Sequence, residues 1–191
     1  MRFISFVTGL VVALSLGVAA SSVAQAESRL QLASADTKSI RWEPWIKKST
    51  GDLSKDLALA AADGKALAVI WEQVFCHYCD RMHEVNLKIP DIANYIAKNF
   101  YVVTFDMHGD TDVVSFDGKK MSETKLAKIS QVRGTPTIVF FTPDKKEVAR
   151  MPGYGQPAVF KKVFEFVIEK GYQTHSMVDW ITLQLQKEAE S

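Results

Sequence analysis

Cys76 and Cys79 are the only cysteines in the chain; they lie three positions apart in the stretch WEQVFCHYCDRMHE (71–84), with His77 and His83 beside them. Four chemistries use such a pair: haem attachment, metal binding, a structural staple and thiol–disulfide exchange. Haem attachment needs Cys-x-x-Cys-His, and Asp80 stands where that histidine belongs. A staple is a weak reading, because bridging residues three apart closes a loop too short to restrain much of the unfolded chain. A metal site stays open. Cys79 and His83 share one face of a helix, and with Cys76 and His77 they offer enough donors for zinc or copper. Against this, a helix that opens on Cys76 does not readily turn His77 inward, and His108 and His175 are isolated. Exchange chemistry demands different surroundings: a buried strand before the pair and a helix starting at it.

Both are predicted. ALAVIW (66–71) is a continuous apolar run of strand length, as in a buried central strand. HYCDRMHEVNLKI follows without glycine or proline and reads as helix, with Cys76 at its start and Cys79 in its first turn. Upstream, 52–62 reads as a helix with Leu53, Leu57, Ala60 and Ala61 on one face, ended by Asp63-Gly64. Trp42 and Trp45 of RWEPW are expected to pack onto the domain. Downstream, a helix begins at Pro90, which suits a first helical position, and YVVTFDM (101–107) is the next strand. GDTDVVSFDGKKM is turn-rich and predicts an inserted hairpin around Asp117-Gly118. Ser122 caps a helix running to about Gln131. TIVFF (137–141) and EVARM (147–151) flank the turn signal PDKK and form an antiparallel pair. Val159, Phe160, Val163, Phe164, Val167 and Ile168 draw a helical stripe that stops at Gly171, and Met177, Trp180, Ile181 and Leu185 draw one more. The order predicts an α/β fold: a central mixed sheet with helices on both faces and an extra C-terminal helix.

A thiol at a helix N-terminus meets unpaired N–H groups and the positive end of the helix dipole, which favour thiolate over thiol. Cys76 is therefore the expected nucleophile, partly exposed, and Cys79, one turn in and more buried, the resolving thiol. VRGTPT (132–137) puts Pro136 at the start of the TIVFF strand. A cis bond there would expose the backbone of Thr135 to an extended substrate peptide.

These residues resemble the thioredoxin fold. WEQVFCHYCDRMHEVN, VRGTPTIVFF and KGYQTHSMVDWI look like periplasmic thioredoxin-like proteins of the SoxW type over roughly residues 40–185. The resemblance implies Cys76 as attacking cysteine, Cys79 as resolving cysteine and Thr135-Pro136 as the substrate-binding cis-proline loop. It implies no cofactor, exported protein disulfides as substrates and a membrane electron carrier of the DsbD or CcdA kind as partner. The chain departs from the pattern between the cysteines, where His77-Tyr78 replaces the Gly-Pro of cytoplasmic thioredoxins and the Pro-His of the oxidase DsbA. A tyrosine before the second cysteine resembles glutaredoxins and the isomerase DsbC. Thioredoxins keep a buried acid six positions before the first cysteine; here that position is Ile70, and the nearest acid is Glu72, either a proton shuttle for Cys79 or a solvated strand end. His77 is a tuning residue if it donates to the Cys76 thiolate, while His83 reads as a half-buried helix residue. A Dsb-type oxidase or isomerase is the alternative, and a redox-inactive binding module the non-enzymatic one.

The start of the chain carries an address. Arg2, an apolar run from Phe3 to Ala20 and then SSVAQA, with Ala24 and Ala26 as small residues, predict a signal peptide over 1–26 cleaved before Glu27. The rival reading, an uncleaved anchor, does not account for the small-residue site. The expected location is the periplasm, with 27–50 an N-terminal extension and 51–191 the thioredoxin-like domain. Arg2 is the one charged residue of the leader, so 22 of the 23 basic residues remain against 22 acidic ones. A balanced chain has no electrostatic case for nucleic acid or anionic membrane. The extension is too short for a dimerisation domain of the DsbC type, so a monomer is expected.

Overall fold

The computed structural model describes residues 40–190. The leader over 1–26 and the first part of the extension lie outside the described residues. Helix α1 (Leu53–Ala62) starts where Asp52 accepts the N–H groups of Ser54 and Lys55, the side-chain cap that short acids supply. It leads into β1 (Ala66–Glu72), then α2 (His77–Glu84), α3 (Pro90–Asn99) and β2 (Phe100–Asp106). A hairpin of β3 (Asp112–Val114) and β4 (Lys120–Ser122) turns around Asp117-Gly118 as expected. Ser122 caps α4 (Glu123–Ile129), followed by β5 (Thr137–Phe141), β6 (Glu147–Pro152), α5 (Pro157–Ile168) and α6 (Met177–Ala189).

The main sheet runs β2-β1-β5-β6, with β1 parallel to β2 and antiparallel to β5. Strand alternation divides the core between its two faces. Ala68 and Ile70 point to α2, α3, α5 and α6, where Met82, Ile96, Phe160, Phe164 and Trp180 meet them. Leu67, Val69 and Trp71 point to α1, α4 and the hairpin, meeting Leu57, Leu126 and Val113. A mixed sheet covered on both faces, with a helix added at the C-terminus, is the thioredoxin-fold layout that the resemblance implies. None of the described helices is long and apolar enough to cross a membrane.

Four local expectations are corrected. The helix after Cys76 breaks at Val85, and Asn86–Lys88 form a single 3-10 turn. Ile89 must be extended because Pro90 follows it, and Asn86 trades helix for tertiary bonds, donating to Gly155 O (2.9 Å) and accepting from Tyr154 Oη (3.0 Å). On α5, Phe166 is buried while Val159 is exposed: α6 folds back and covers a flank that the stripe alone leaves wet. Its approach is close, since a Cβ on Gly171 would lie 2.5 Å from Phe166 and 2.7 Å from Trp180. Ala61 faces solvent. Trp45 packs on the core, but Trp42 stays 48% exposed; Ile46 is the residue of that segment that enters the core, and Lys47 N–H donates to Val102 O (2.7 Å) along the β2 edge.

Candidate active site

Strand β1 ends at Glu72, and four residues carry the chain round to α2. Phe75, 75% exposed, makes the turn in the left-handed region (φ 58°), a backbone state that costs a non-glycine residue about 1 kcal/mol or more. Cys76 is then the N-cap of α2: its backbone is extended, its carbonyl accepts Asp80 N–H (3.0 Å) and its Sγ accepts Cys79 N–H (3.1 Å). The two cysteines are joined in a disulfide. The expectation that Cys76 is partly exposed is corrected, since it is 7% exposed against 4% for Cys79.

What covers Cys76 is the loop before β5. Thr135 Oγ1 donates to Cys76 Sγ (3.2 Å), and the Thr135–Pro136 bond is cis. The loop is held from both ends: Thr137 Oγ1 donates to Gly134 O (2.7 Å) and Gly153 N–H to Pro136 O (2.7 Å). Beside it lies an open groove of about 710 Å³, lined among others by Ser130, Arg133, Thr135, Arg150 and Gly153. The pair and the loop, sixty residues apart in sequence, thus form one surface.

The residues between the cysteines face outward. His77 is exposed and sets its ring against the edge of Tyr78 (5.5 Å between centroids). The bonds to Cys76 Sγ come from Cys79 and Thr135. Tyr78 stacks on Tyr154 at 6.2 Å, with the Arg81 guanidinium over the far ring (5.5 Å). Together with Val74 and Phe75 this makes an apolar, aromatic rim around the disulfide.

Behind the pair the arrangement reverses. Glu72 is not a solvated strand end: it is 1% exposed, and His83, expected half-buried, is 0% exposed. Both Glu72 carboxylate oxygens lie 3.2 Å from His83 Nε2, and Glu43 Oε1 lies 3.3 Å from His83 Nδ1. Lys88 Nζ holds the outer edge of Glu43 (3.2 Å to Oε2). Burial pushes the His83 pKa down, but the hydrogen bonds and charges of Glu72 and then Glu43 outweigh it, leaving it above the ordinary 6.5. Both ring nitrogens of His83 are therefore taken up by carboxylates, one by Glu43 and the other by Glu72. Among the described residues no three His, Cys, Asp or Glu side chains are grouped to hold a metal ion.

Part of this inner cluster had a signal. Glu72 continues the alternation Ala68, Ile70 on one sheet face, and His83 is one turn along the Cys79 face of α2. Glu43 had none, being brought in from forty residues away.

A family model for the thioredoxin-like domain matches residues 53–168. A search of the curated proteins finds no match. Among solved structures, a thioredoxin-fold protein from Helicobacter pylori aligns with TM-score 0.58 and 23% identity, over 73% of this chain and 86% of its own. A thioredoxin from Thermus thermophilus aligns with TM-score 0.51 and 29% identity, over 66% of this chain and 89% of its own. A putative disulphide isomerase from Bacteroides thetaiotaomicron aligns with TM-score 0.52 and 22% identity, over 65% and 92%. At their level of identity the first and third likenesses speak for the fold alone.

Proposed function

The chain belongs to the thioredoxin-like domain family, and we propose that it is a thiol–disulfide oxidoreductase of the periplasmic SoxW type, reducing disulfides in exported proteins. One observation carries this reading: Cys76 Sγ sits at the start of a helix, takes hydrogen bonds from Cys79 N–H and Thr135 Oγ1, and is bridged to Cys79. The same donors would favour a thiolate on Cys76 once the pair is reduced.

The Cys76 thiolate attacks one sulfur of a substrate disulfide, whose S–S bond breaks; the departing thiolate takes a proton from solvent. Substrate is held as a mixed disulfide, its backbone beside Thr135 and the cis Pro136 and its flanking side chains against Val74, Phe75 and Tyr78. Cys79, having lost its proton, attacks Cys76 Sγ and releases the second substrate thiolate. Two electrons have passed to the substrate, and the protein is left with the Cys76–Cys79 disulfide. A membrane electron carrier of the DsbD or CcdA kind would return the electrons, and a cleaved leader over 1–26 would deliver the chain to that compartment as a monomer.

The bonds to Cys76 Sγ also support the second reading, a Dsb-type oxidase or isomerase, because stabilising the thiolate makes the disulfide more oxidising. The equilibrium reduction potential separates the two. Trp71, buried at the end of β1 against Phe105 (5.3 Å), is the expected fluorescent reporter in a titration against thiol buffers. A potential near thioredoxin's, about −270 mV, is the expected result, whereas one near the −120 mV of DsbA would transfer the reading to the oxidising side. Absence of any redox transition would remove the enzyme reading.

A further inference from the structure

The open groove of about 710 Å³ beside Thr135 has three charged residues in its lining: Arg133, Glu147 and Arg150. Two of the three cancel. Arg150 grips Glu147 with two nitrogens, Nε to Oε1 at 2.8 Å and Nη2 to Oε2 at 2.9 Å, while Nη1 donates to Gln131 O (3.2 Å). That is an arginine committed to the fold, using the planar fork that suits a carboxylate. Arg133 is not. It is exposed and has no hydrogen bond or ion pair among the described residues. The groove therefore carries one uncancelled positive charge.

The segment that presents Arg133 is pinned on both sides of it. Val132 is buried, with its N–H on Ala127 O (2.9 Å). Gln131 takes the left-handed backbone (φ 55°), and its N–H donates to Lys128 O (3.1 Å). Gly134 O accepts Thr137 Oγ1 (2.7 Å). A Cβ on Gly134 would meet nothing within 4 Å, so the space over the loop is open to an incoming chain. The backbone being already ordered, a ligand has little to fix beyond the Arg133 side chain, which keeps the entropic cost of binding low.

Arg133 also stands close to the chemistry. Thr135, two residues on, donates to Cys76 Sγ (3.2 Å), and two extended residues span at most about 7 Å. The Thr135 N–H and C=O have no backbone partner among the described residues, so they are free to pair with an extended chain. A peptide lying along this edge with its cysteine at Cys76 brings residues within about three positions of that cysteine to Arg133.

We infer that Arg133 is a specificity-determining residue, selecting substrate proteins that carry an aspartate or glutamate within about three residues of the reactive cysteine. The substrate carboxylate meets the guanidinium as the mixed disulfide forms, and the bond changes at sulfur are those of the exchange reaction. Val74, Phe75 and Tyr78 offer apolar contact that is blind to charge, whereas Arg133 reads it. An ion pair in an open groove is screened by salt and acts on capture of the partner more than on the steps that follow.

This inference rests on the exchange reading, and the test separates the two. The reduced protein is mixed with peptide disulfides alike except for aspartate or lysine two positions from the cysteine, placed in turn on its N- and C-terminal sides. Oxidation of the protein is followed through Trp71 fluorescence in stopped flow. At low salt the aspartate peptide should react with a second-order rate constant about tenfold higher on one of the two sides, and about 0.5 M salt should shrink the ratio to about twofold. Arg133→Gln should bring the ratio near unity and Arg133→Glu should invert it. Both variants should keep attack on the uncharged dipyridyl disulfide within about twofold of the wild type. A wild-type ratio near unity on both sides, or a ratio that Arg133→Glu leaves unmoved, overturns the assignment and leaves the exchange reading standing. A wild-type protein that reduces neither the peptides nor the dipyridyl disulfide overturns the exchange reading and the assignment with it.

Discussion

On one flank of the Cys76–Cys79 pair the chain exposes Val74, Phe75 and Tyr78 to water; on the other it buries Glu72, His83 and Glu43. Each flank inverts the usual distribution, in which large apolar groups are inside and charged groups almost never fully buried unless paired. Toward the other end of the sheet lies an ordinary core: Phe100, Phe140, Phe160 and Phe164 pack edge to face or tilted at 5.0–5.6 Å between helices and sheet, each such contact contributing about 0.5–1.5 kcal/mol beyond burial. Apolar packing is thus concentrated away from the disulfide, whereas the residues around the pair expose apolar surface or bury charge, both of which cost stability. The open flank offers apolar surface to water, and the sealed flank holds its charges as pairs out of water.

The sharpest separation of the flanks is at the sulfurs. Cys76→Ser should abolish turnover of a protein disulfide, while Cys79→Ser should keep the attack and accumulate mixed disulfides, visible on non-reducing gels. A trap formed by Cys76→Ser instead would reverse the assigned order of attack.

The next contrast sets core against sealed flank. Phe164→Ala should cost about 3–5 kcal/mol in urea unfolding and leave the reduction potential where it was. Glu72→Ala should cost a similar 3–5 kcal/mol, because His83 keeps a buried charge with one partner gone, and should in addition change how the potential varies with pH. A Glu72→Ala protein as stable as the wild type would mean that the cluster is not charged as described.

A subtler effect is set by pH. The pKa of His83 in the folded protein stands above 6.5, so its ion pairs contribute fully below that value, and the contribution is lost as pH rises through the raised one. In His83→Gln that slope should vanish from the pH dependence of unfolding free energy. An unchanged slope would assign it to another group.

The smallest change in stability is expected on the open flank. Phe75→Asn removes an exposed ring and suits the left-handed backbone, so unfolding should move by no more than about 0.5 kcal/mol. KM for protein disulfides should rise several-fold while attack on a small aromatic disulfide holds steady. Equal losses on both substrates would show that the ring shapes the motif rather than meeting the partner.

Sequence reading succeeded wherever the governing interaction is short-range. Asp52 and Ser122 cap the helices that their neighbours predict, and the apolar run before Cys76 is the central strand. It failed where a distant element competes. Asn86 leaves its helix to bond Tyr154 and Gly155, α6 decides that Phe166 rather than Val159 is covered, and Trp42 stays exposed while Ile46 enters the core. His77, a tuning candidate by its place in the motif, turns outward, and Thr135 supplies the hydrogen bond to sulfur instead.

From the sequence by itself came the pair, its place at a helix start after a buried strand, and the loop that carries Pro136, because strand period, helix period and capping act over a few residues. Only the tertiary structure decided that Thr135 meets Cys76, that Glu72 is dry, and that Glu43 reaches His83 across forty positions. Those contacts depend on how the faces of separate elements close on one another, and a charge that periodicity assigns to solvent is buried when a partner arrives from elsewhere in the chain.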